Sequence, residues 1–185
     1  MLMDLLTREE AEYDHRTQEL RFNIDLLAER LVMAIDELDR HPATRGMRVG
    51  LFGASTGAAA ALKAAAARPD RVGALVSRGG RPDLGGEALS SVRTPTLLIV
   101  GSNDREVLNL NRQAAQLLTS LPLAEVKTEI VHGAGHLCEE PGALGKVADL
   151  AAKWFRTHLG AGVERPTGPD GGRFKPPQPR RRPPM

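Results

Sequence analysis

The sequence predicts an α/β fold, a mostly parallel sheet flanked by helices, on three observations. Short β-branched apolar runs alternate with helix-patterned segments along the chain. A Gly53-Ala54-Ser55-Thr56-Gly57 run sits where one apolar run, Met47 to Phe52, gives way to an alanine-rich segment, Ala58 to Ala67. An acid and a histidine, Asp104 and His136, each follow a later apolar run. Strands of this kind joined by helical crossovers lie parallel, with helices covering both sheet faces.

Taken in order, Leu2 to Leu6 reads as the end of a strand. Thr7 and Glu10 then have capping-box spacing ahead of a charged stretch that suits a loop or a helix. From Asn23 the pattern sharpens. Ile24, Leu27, Leu31, Ala34, Ile35 and Leu38 recur at three- and four-residue intervals, predicting an amphipathic helix that Asn23 caps and Pro42 limits. An apolar run at 47–52, a helix at about 57–67, a run at 72–77 and a Gly/Pro-rich loop through Gly86 follow. A strand at 96–100, a helix at about 107–118, a strand at about 126–131 and a helix at about 143–158 complete the body. Glu139, Glu140 and Pro141 suit the start of that last helix, acids at its positive end and proline in its first turn. No internal repeat is visible.

A length of 185 residues with 41% apolar content suits one domain with a real core. The longest apolar runs are strand-length, which argues against a membrane span, and the first ten residues lack the basic head and apolar body of a secretory signal. The single cysteine, Cys138, permits no intrachain disulfide and no four-cysteine zinc cage, favouring a reducing, cytoplasmic setting. Aromatic residues at 3% argue against a base-stacking nucleic-acid platform.

Charge divides the chain in two. From Val163 onward Arg165, Arg173, Lys175, Arg180, Arg181 and Arg182 outnumber Glu164 and Asp170, leaving the body slightly acidic. This stretch is rich in Pro and Gly and has no apolar periodicity, so residues 161–185 are expected to be a disordered tail behind a folded domain of residues 1–160. The Arg180-Arg181-Arg182 cluster is read as solvated, so nucleic acid is not an expected partner.

Gly-x-Ser-x-Gly between strand and helix reads as a nucleophile elbow, a sharp turn that lifts the serine hydroxyl above the sheet. Gly53 and Gly57 are expected to lack side chains because strand and helix pass too closely for a Cβ. A serine needs a base to take its proton, and the base needs a carboxylate to orient it. Open parallel sheets gather such groups at the carboxyl ends of their strands. Asp104 follows the run Thr96 to Val100, and His136 follows the run ending near Val131. The order Ser55, Asp104, His136 is that of the α/β hydrolases rather than of chymotrypsin or subtilisin. The competing reading makes Ser55 a helix cap, Asp104 a turn acid and His136 a surface histidine. Asp83 is the alternative acid, and His132 is read as a packed or loop histidine. Cys138 is expected to be a small half-buried filler.

Val49 to Gly57, Thr94 to Asp104 and Gly133 to Pro141 together resemble the dienelactone hydrolase-like branch of the α/β hydrolases. More narrowly they are similar to hydrolase domains that some actinobacterial proteins carry alone or fused to a phosphoribosyltransferase domain. The resemblance covers most of residues 1–159 and implies Ser55 as nucleophile, Asp104 as acid and His136 as base. It implies a metal- and cofactor-independent hydrolase acting on an ester, thioester or lactone through an acyl-enzyme, with the Thr56 amide stabilising the oxyanion. The enzyme that names the family uses cysteine, whereas this chain has serine.

The resemblance also implies about four strands ahead of the helix at 24–40, the third followed by a loop carrying a second oxyanion donor. Only Leu2 to Leu6 corresponds to that region, so a partial α/β-hydrolase fold, truncated at its amino terminus, is expected. The elbow strand then becomes an exposed apolar edge unless Leu2 to Leu6, a second copy or a missing amino-terminal segment completes the sheet. The alternative function is an inactive or partner-completed fragment with a packing role.

Overall fold

The computed structural model describes residues 1–120 and 125–160. The proposed tail from residue 161 lies outside the described residues. Within them four strands, β1 (Val49–Ala54), β2 (Val72–Arg78), β3 (Thr96–Gly101) and β4 (Val126–Val131), form one all-parallel sheet in the order β1-β2-β3-β4. Five helices accompany them: α1 (Arg8–Thr17), α2 (Ile24–Arg40), α3 (Thr56–Ala67), α4 (Arg105–Thr119) and α5 (Ala143–Leu159).

The central strands have the composition their position demands. Every residue of β3 is buried, as is all of β2 except half-buried Arg78, because helices cover both faces. On one face Ala74, Val76, Leu97 and Ile99 pack against Val147, Ala151 and Trp154 of α5. On the other, Leu51, Val72 and Leu75 meet Ile35 of α2, Leu118 of α4 and the Ala61–Ala65 stretch of α3. The small side chains of α3 let it approach sheet and α2 together, and seven of its residues are buried.

The amino-terminal caps follow the sequence. Thr7 and Glu10 complete a reciprocal capping box, so the ambiguous charged stretch is helical, and Asn23 Oδ1 accepts the Leu26 amide to start α2. Glu10 also pairs with Arg30 of α2. Asp14 is buried and accepts both the Leu20 and Arg21 amides at 2.8 and 2.9 Å, with Arg21 Nε at 2.7 Å.

Three expectations are corrected. Leu2 to Leu6 forms no strand and does not pair with β1. Instead Leu5 and Leu6 pack on Ile24, Leu27, Ala28, Ala59 and Ala60, because the apolar ends of α2 and α3 offer them more burial than a sheet edge. The Gly/Pro-rich stretch after β2 is not irregular but a 3-10 helical segment, Pro82–Ser91, broken at Gly86 with φ 56°. The last helix begins only at Ala143, leaving Pro141 outside its first turn: Gly142 has φ 80°, a left-handed conformation that cannot belong to the helix.

The two sheet edges differ. β4 carries Lys127 and Glu129, paired at 2.7 Å, a charged edge of the sort that discourages further pairing. Among the described residues β1 pairs only with β2, and Phe52 is 49% exposed, as the reading of an exposed apolar edge anticipates.

Arg30 and the Thr7 backbone hold the Glu10 carboxyl down from 4.5 to about 2. A depressed folded-state value means stabilisation that is complete above about 4.5 and lost as pH falls toward 2. The melting-temperature difference between wild type and Glu10→Gln is therefore expected to be largest near neutrality and to vanish through that window, checked by thermal denaturation across pH.

Candidate active site

At the end of β1 the chain turns into α3 within one residue. Ser55 occupies φ 50° and ψ −123°, a conformation that a non-glycine residue holds at a cost of about 1–3 kcal/mol and only when its surroundings enforce it. Three backbone bonds do so here. The Ser55 amide donates to Arg78 O at 3.3 Å, the Arg81 amide donates to Ser55 O at 3.2 Å, and the Ala58 amide donates to the same carbonyl at 3.1 Å. Ser55 makes no side-chain cap bond to α3, so the helix-cap role weighed from the sequence is not how its hydroxyl is used.

Gly53 meets its expectation and Gly57 does not. A Cβ on Gly53 would lie 2.5 Å from Gly57 O and 2.6 Å from Ala58 Cα, backbone atoms that cannot move aside. A Cβ on Gly57 would meet nothing within 4 Å, because that side of the elbow opens into a groove. Thr56 and Gly57 line this groove opposite Met3, Leu5, Leu6 and Arg8, and its volume is about 630 Å³.

Asp104 and His136 are brought together. His136 Nδ1 lies 2.7 Å from Asp104 Oδ2, and the carboxylate is largely shielded while the imidazole is half-exposed. Asp104 is also the N-cap of α4, its Oδ1 accepting the Val107 amide at 3.5 Å. Cap and partner use different oxygens, so the structural and chemical readings of this residue coexist. With Nδ1–H donating to the carboxylate, Nε2 keeps a lone pair available to a proton donor.

Backbone contact between the two loops sets this geometry. A Cβ on Gly101 would fall 2.2 Å from Ala134 O and 2.5 Å from Gly135 O, so only glycine lets the His136 loop settle on the end of β3. Ser102 Oγ accepts the Gly133 amide at 2.8 Å, Asn103 Nδ2 donates to Gly133 O at 2.8 Å, and the Asn103 amide donates to Ala134 O at 2.9 Å. Glu140 Oε1 accepts the Gly135 amide at 2.8 Å, so this acid braces the loop rather than starting α5. Sequence reasoning gave no site role to Gly101, Ser102 or Asn103 and took Glu140 for a helix start. Only the position of Gly101 at the strand end, three residues before an acid, could have signalled a close approach.

The elbow and the pair adjoin through β2. Gly79 (φ 51°) backs onto His136, whose carbonyl and Nδ1 would lie 2.9 and 3.5 Å from a Cβ placed there. Arg78 Nη1 donates to His136 O at 3.2 Å, while Arg78 O accepts the Ser55 amide. Ser55 Oγ and His136 Nε2 are not hydrogen-bonded to each other in this structure.

The rivals have other occupations. Asp83 is held by Arg81 in a two-point ion pair, Nε–Oδ1 at 2.9 Å and Nη2–Oδ2 at 2.7 Å, and contacts no histidine. His132 is an exposed loop residue. Cys138 is fully rather than half buried, in the core beside Ala134 and Ala143, and burial pushes its thiol up, away from thiolate reactivity. Among the described residues no group of His, Cys, Asp and Glu is arranged to hold a metal ion, and no helix is long and apolar enough to cross a membrane.

A parallel sheet covered by helices on both faces, with a strained serine elbow after one strand and an Asp–His pair at the ends of two others, defines the α/β-hydrolase class. Comparison with known proteins narrows it. The profile of the dienelactone hydrolase family matches residues 2–156, and the chain belongs to that family. It is 54% identical to the dienelactone hydrolase of Anabaena variabilis, covering 84% of this chain and 70% of that one, with a TM-score of 0.79. It is 50% identical, over 86% of its length, to proteins of two Mycobacterium tuberculosis strains provisionally named phosphoribosyl transferase, and spans only 34% of their length. A monoacylglycerol lipase of Paleococcus ferrophilus, 15% identical over 73% of this chain and 76% of its own with a TM-score of 0.57, shares the fold alone.

The two elbow glycines are expected to separate on substitution. Gly53→Ala costs about 2–3 kcal/mol from backbone overpacking, a fall in melting temperature of about 5 °C or more, whereas Gly57→Ala is neutral or gains about 0.5 kcal/mol. Paired calorimetric scans check this.

Proposed function

We propose that this member of the dienelactone hydrolase family is a serine hydrolase that cleaves an ester, thioester or lactone through an acyl-enzyme. The observation that carries the reading is the Ser55 elbow, strained and unused as a cap, beside an Asp104–His136 pair bonded at 2.7 Å. Ser55 Oγ attacks the substrate carbonyl as His136 Nε2 takes its proton. Asp104 fixes the tautomer at Nδ1 and stabilises the imidazolium. The oxyanion forms against the Thr56 amide in the first turn of α3, where unpaired N–H groups and the positive helix end favour negative charge. The tetrahedral intermediate collapses as His136 returns the proton to the leaving oxygen or sulfur, which for a lactone stays tethered to the acyl group. Water, deprotonated by His136, then releases the acid and restores Ser55. No cofactor takes part in this scheme.

The phosphoribosyl transferase name belongs to much longer proteins, and the family match directs this chain to hydrolysis instead. A small-molecule substrate in a cytoplasmic setting remains part of the proposal.

A fluorophosphonate probe is expected to label Ser55 in the wild type, with labelling abolished in Ser55→Ala and slowed at least about 1000-fold in His136→Ala. Intact mass spectrometry and peptide mapping read the result, and a folded wild type that resists the probe would sink the assignment.

The β1 edge, open among the described residues, favours a second reading, in which a further strand from a second copy completes the sheet and the chain acts by packing. In that case Phe52→Glu converts an assembled species into a smaller one in sedimentation velocity. An unchanged monomer in both proteins counts against assembly of this chain with itself.

A further inference from the structure

Asn111 lies in the middle of α4 and is completely buried. Its Nδ2 donates to two carbonyls, Val107 O one turn back at 2.8 Å and Gly80 O at 2.9 Å. Its Oδ1 is buried without a hydrogen-bond partner among the described residues. An unpaired buried oxygen opposes folding, and a leucine of similar shape would avoid that cost. The reason for a polar group here lies in what its nitrogen holds.

Gly80 belongs to the segment that grips the elbow. The residues around it exchange backbone bonds with Ser55, Arg78 as acceptor and Arg81 as donor, and the Gly79 amide donates to Ile99 O of β3 at 2.8 Å. Gly80 itself is wedged so tightly that a Cβ would lie 2.0 Å from Ser77 Oγ and 2.6 Å from Ala58 Cβ. Val107, at the other end of the Asn111 bond, donates its amide to Asp104, the partner of His136. A continuous run of bonds therefore leads from the Ser55 backbone through residues 78–81, Asn111 and Val107 to the Asp104–His136 pair.

We propose that Asn111 is a positioning residue of the hydrolase: by tying Gly80 to the turn of α4 that holds Asp104, it sets the spacing between the nucleophile and its acid–base pair. The proposal rests on the serine-hydrolase reading. Two consecutive glycines at 79–80 have wide backbone freedom, and an unheld segment would let the elbow drift relative to His136. Drift of that kind matters because a misplacement of about 1 Å can cost about 100-fold in rate.

Two variants of the full chain test it. Asn111→Leu removes both bonds, and Asn111→Thr keeps a hydroxyl bond to Val107 O one turn back but cannot reach Gly80. The readouts are the rate of Ser55 labelling by a fluorophosphonate, kcat and KM on p-nitrophenyl acetate, amide hydrogen exchange at Ser55 and Arg81, and thermal midpoint. Both variants are expected to lose about 10- to 100-fold in labelling rate and kcat with KM within about threefold of wild type. Exchange at Arg81 and Ser55 accelerates, and the midpoint of Asn111→Leu falls modestly, because relief of the unpaired Oδ1 offsets only part of the loss at Gly80 O. Labelled wild type with variants that label and turn over at its rate overturns the positioning role and leaves the hydrolase standing. So does a rate loss that follows the midpoint with exchange at Arg81 and Ser55 unchanged. Wild type unlabelled at Ser55 overturns both.

Discussion

Backbone meets backbone at the carboxyl rim of this sheet, and that close approach is the constraint on which the site depends. At Gly53 the strand runs against the first turn of α3, and at Gly101 the loop bearing His136 rests on the end of β3. A single Cβ at either place would separate elements whose contact puts a hydroxyl, an imidazole and a carboxylate on one rim. Once these approaches are made, the remaining bonds are short and local. Ser102 and Asn103 hold one loop to the other, and residues 78–81 hold the elbow to β2.

The interior makes that rim stiff enough to carry strain. β2 and β3 are enclosed on both faces, and α3 contributes alanines that let it lie close to sheet and α2 at once. A core enclosed in this way resists small displacements and supports the backbone bonds that hold Ser55 at a positive φ. The enclosure is uneven, however. β4 closes its side with charge, while β1, the strand that leads into the elbow, presents Phe52 and an unpaired backbone. The strained elbow thus follows directly from a strand at the edge of the sheet.

Asp104 shows how little separates structural from chemical function in such folds. One oxygen caps α4 and the other meets His136, so the helix start and the imidazole are oriented by the same side chain. Glu140 is a similar case, an acid beside a helix start that bonds instead to the Gly135 amide and steadies the loop. Cys138 illustrates the converse: close to the histidine in sequence, it is spent on the core.

Local chemistry made much of this protein legible before any coordinates. Capping at Thr7 and Asn23, the apolar spacing of α2, the four strands and the order Ser55, Asp104, His136 are written in neighbouring residues, since caps, periodicity and strand composition act over a few positions. Which acid meets a histidine was decided by tertiary structure: Asp104 reaches His136, 32 positions away, whereas Asp83 pairs with neighbouring Arg81. The same holds for Leu5 and Leu6, whose apolar character fits a strand or a helix-packing segment equally until α2 and α3 supply the surface. It holds also for Gly57, open to a groove, and Gly101, closed by a carbonyl, since a glycine codon is silent about what approaches it. Sequence by itself determined the four strands, most of the helices and which side chains could do chemistry; three-dimensional packing decided which of them meet, because contacts between residues 30 or more positions apart depend on backbone distances that no local pattern encodes.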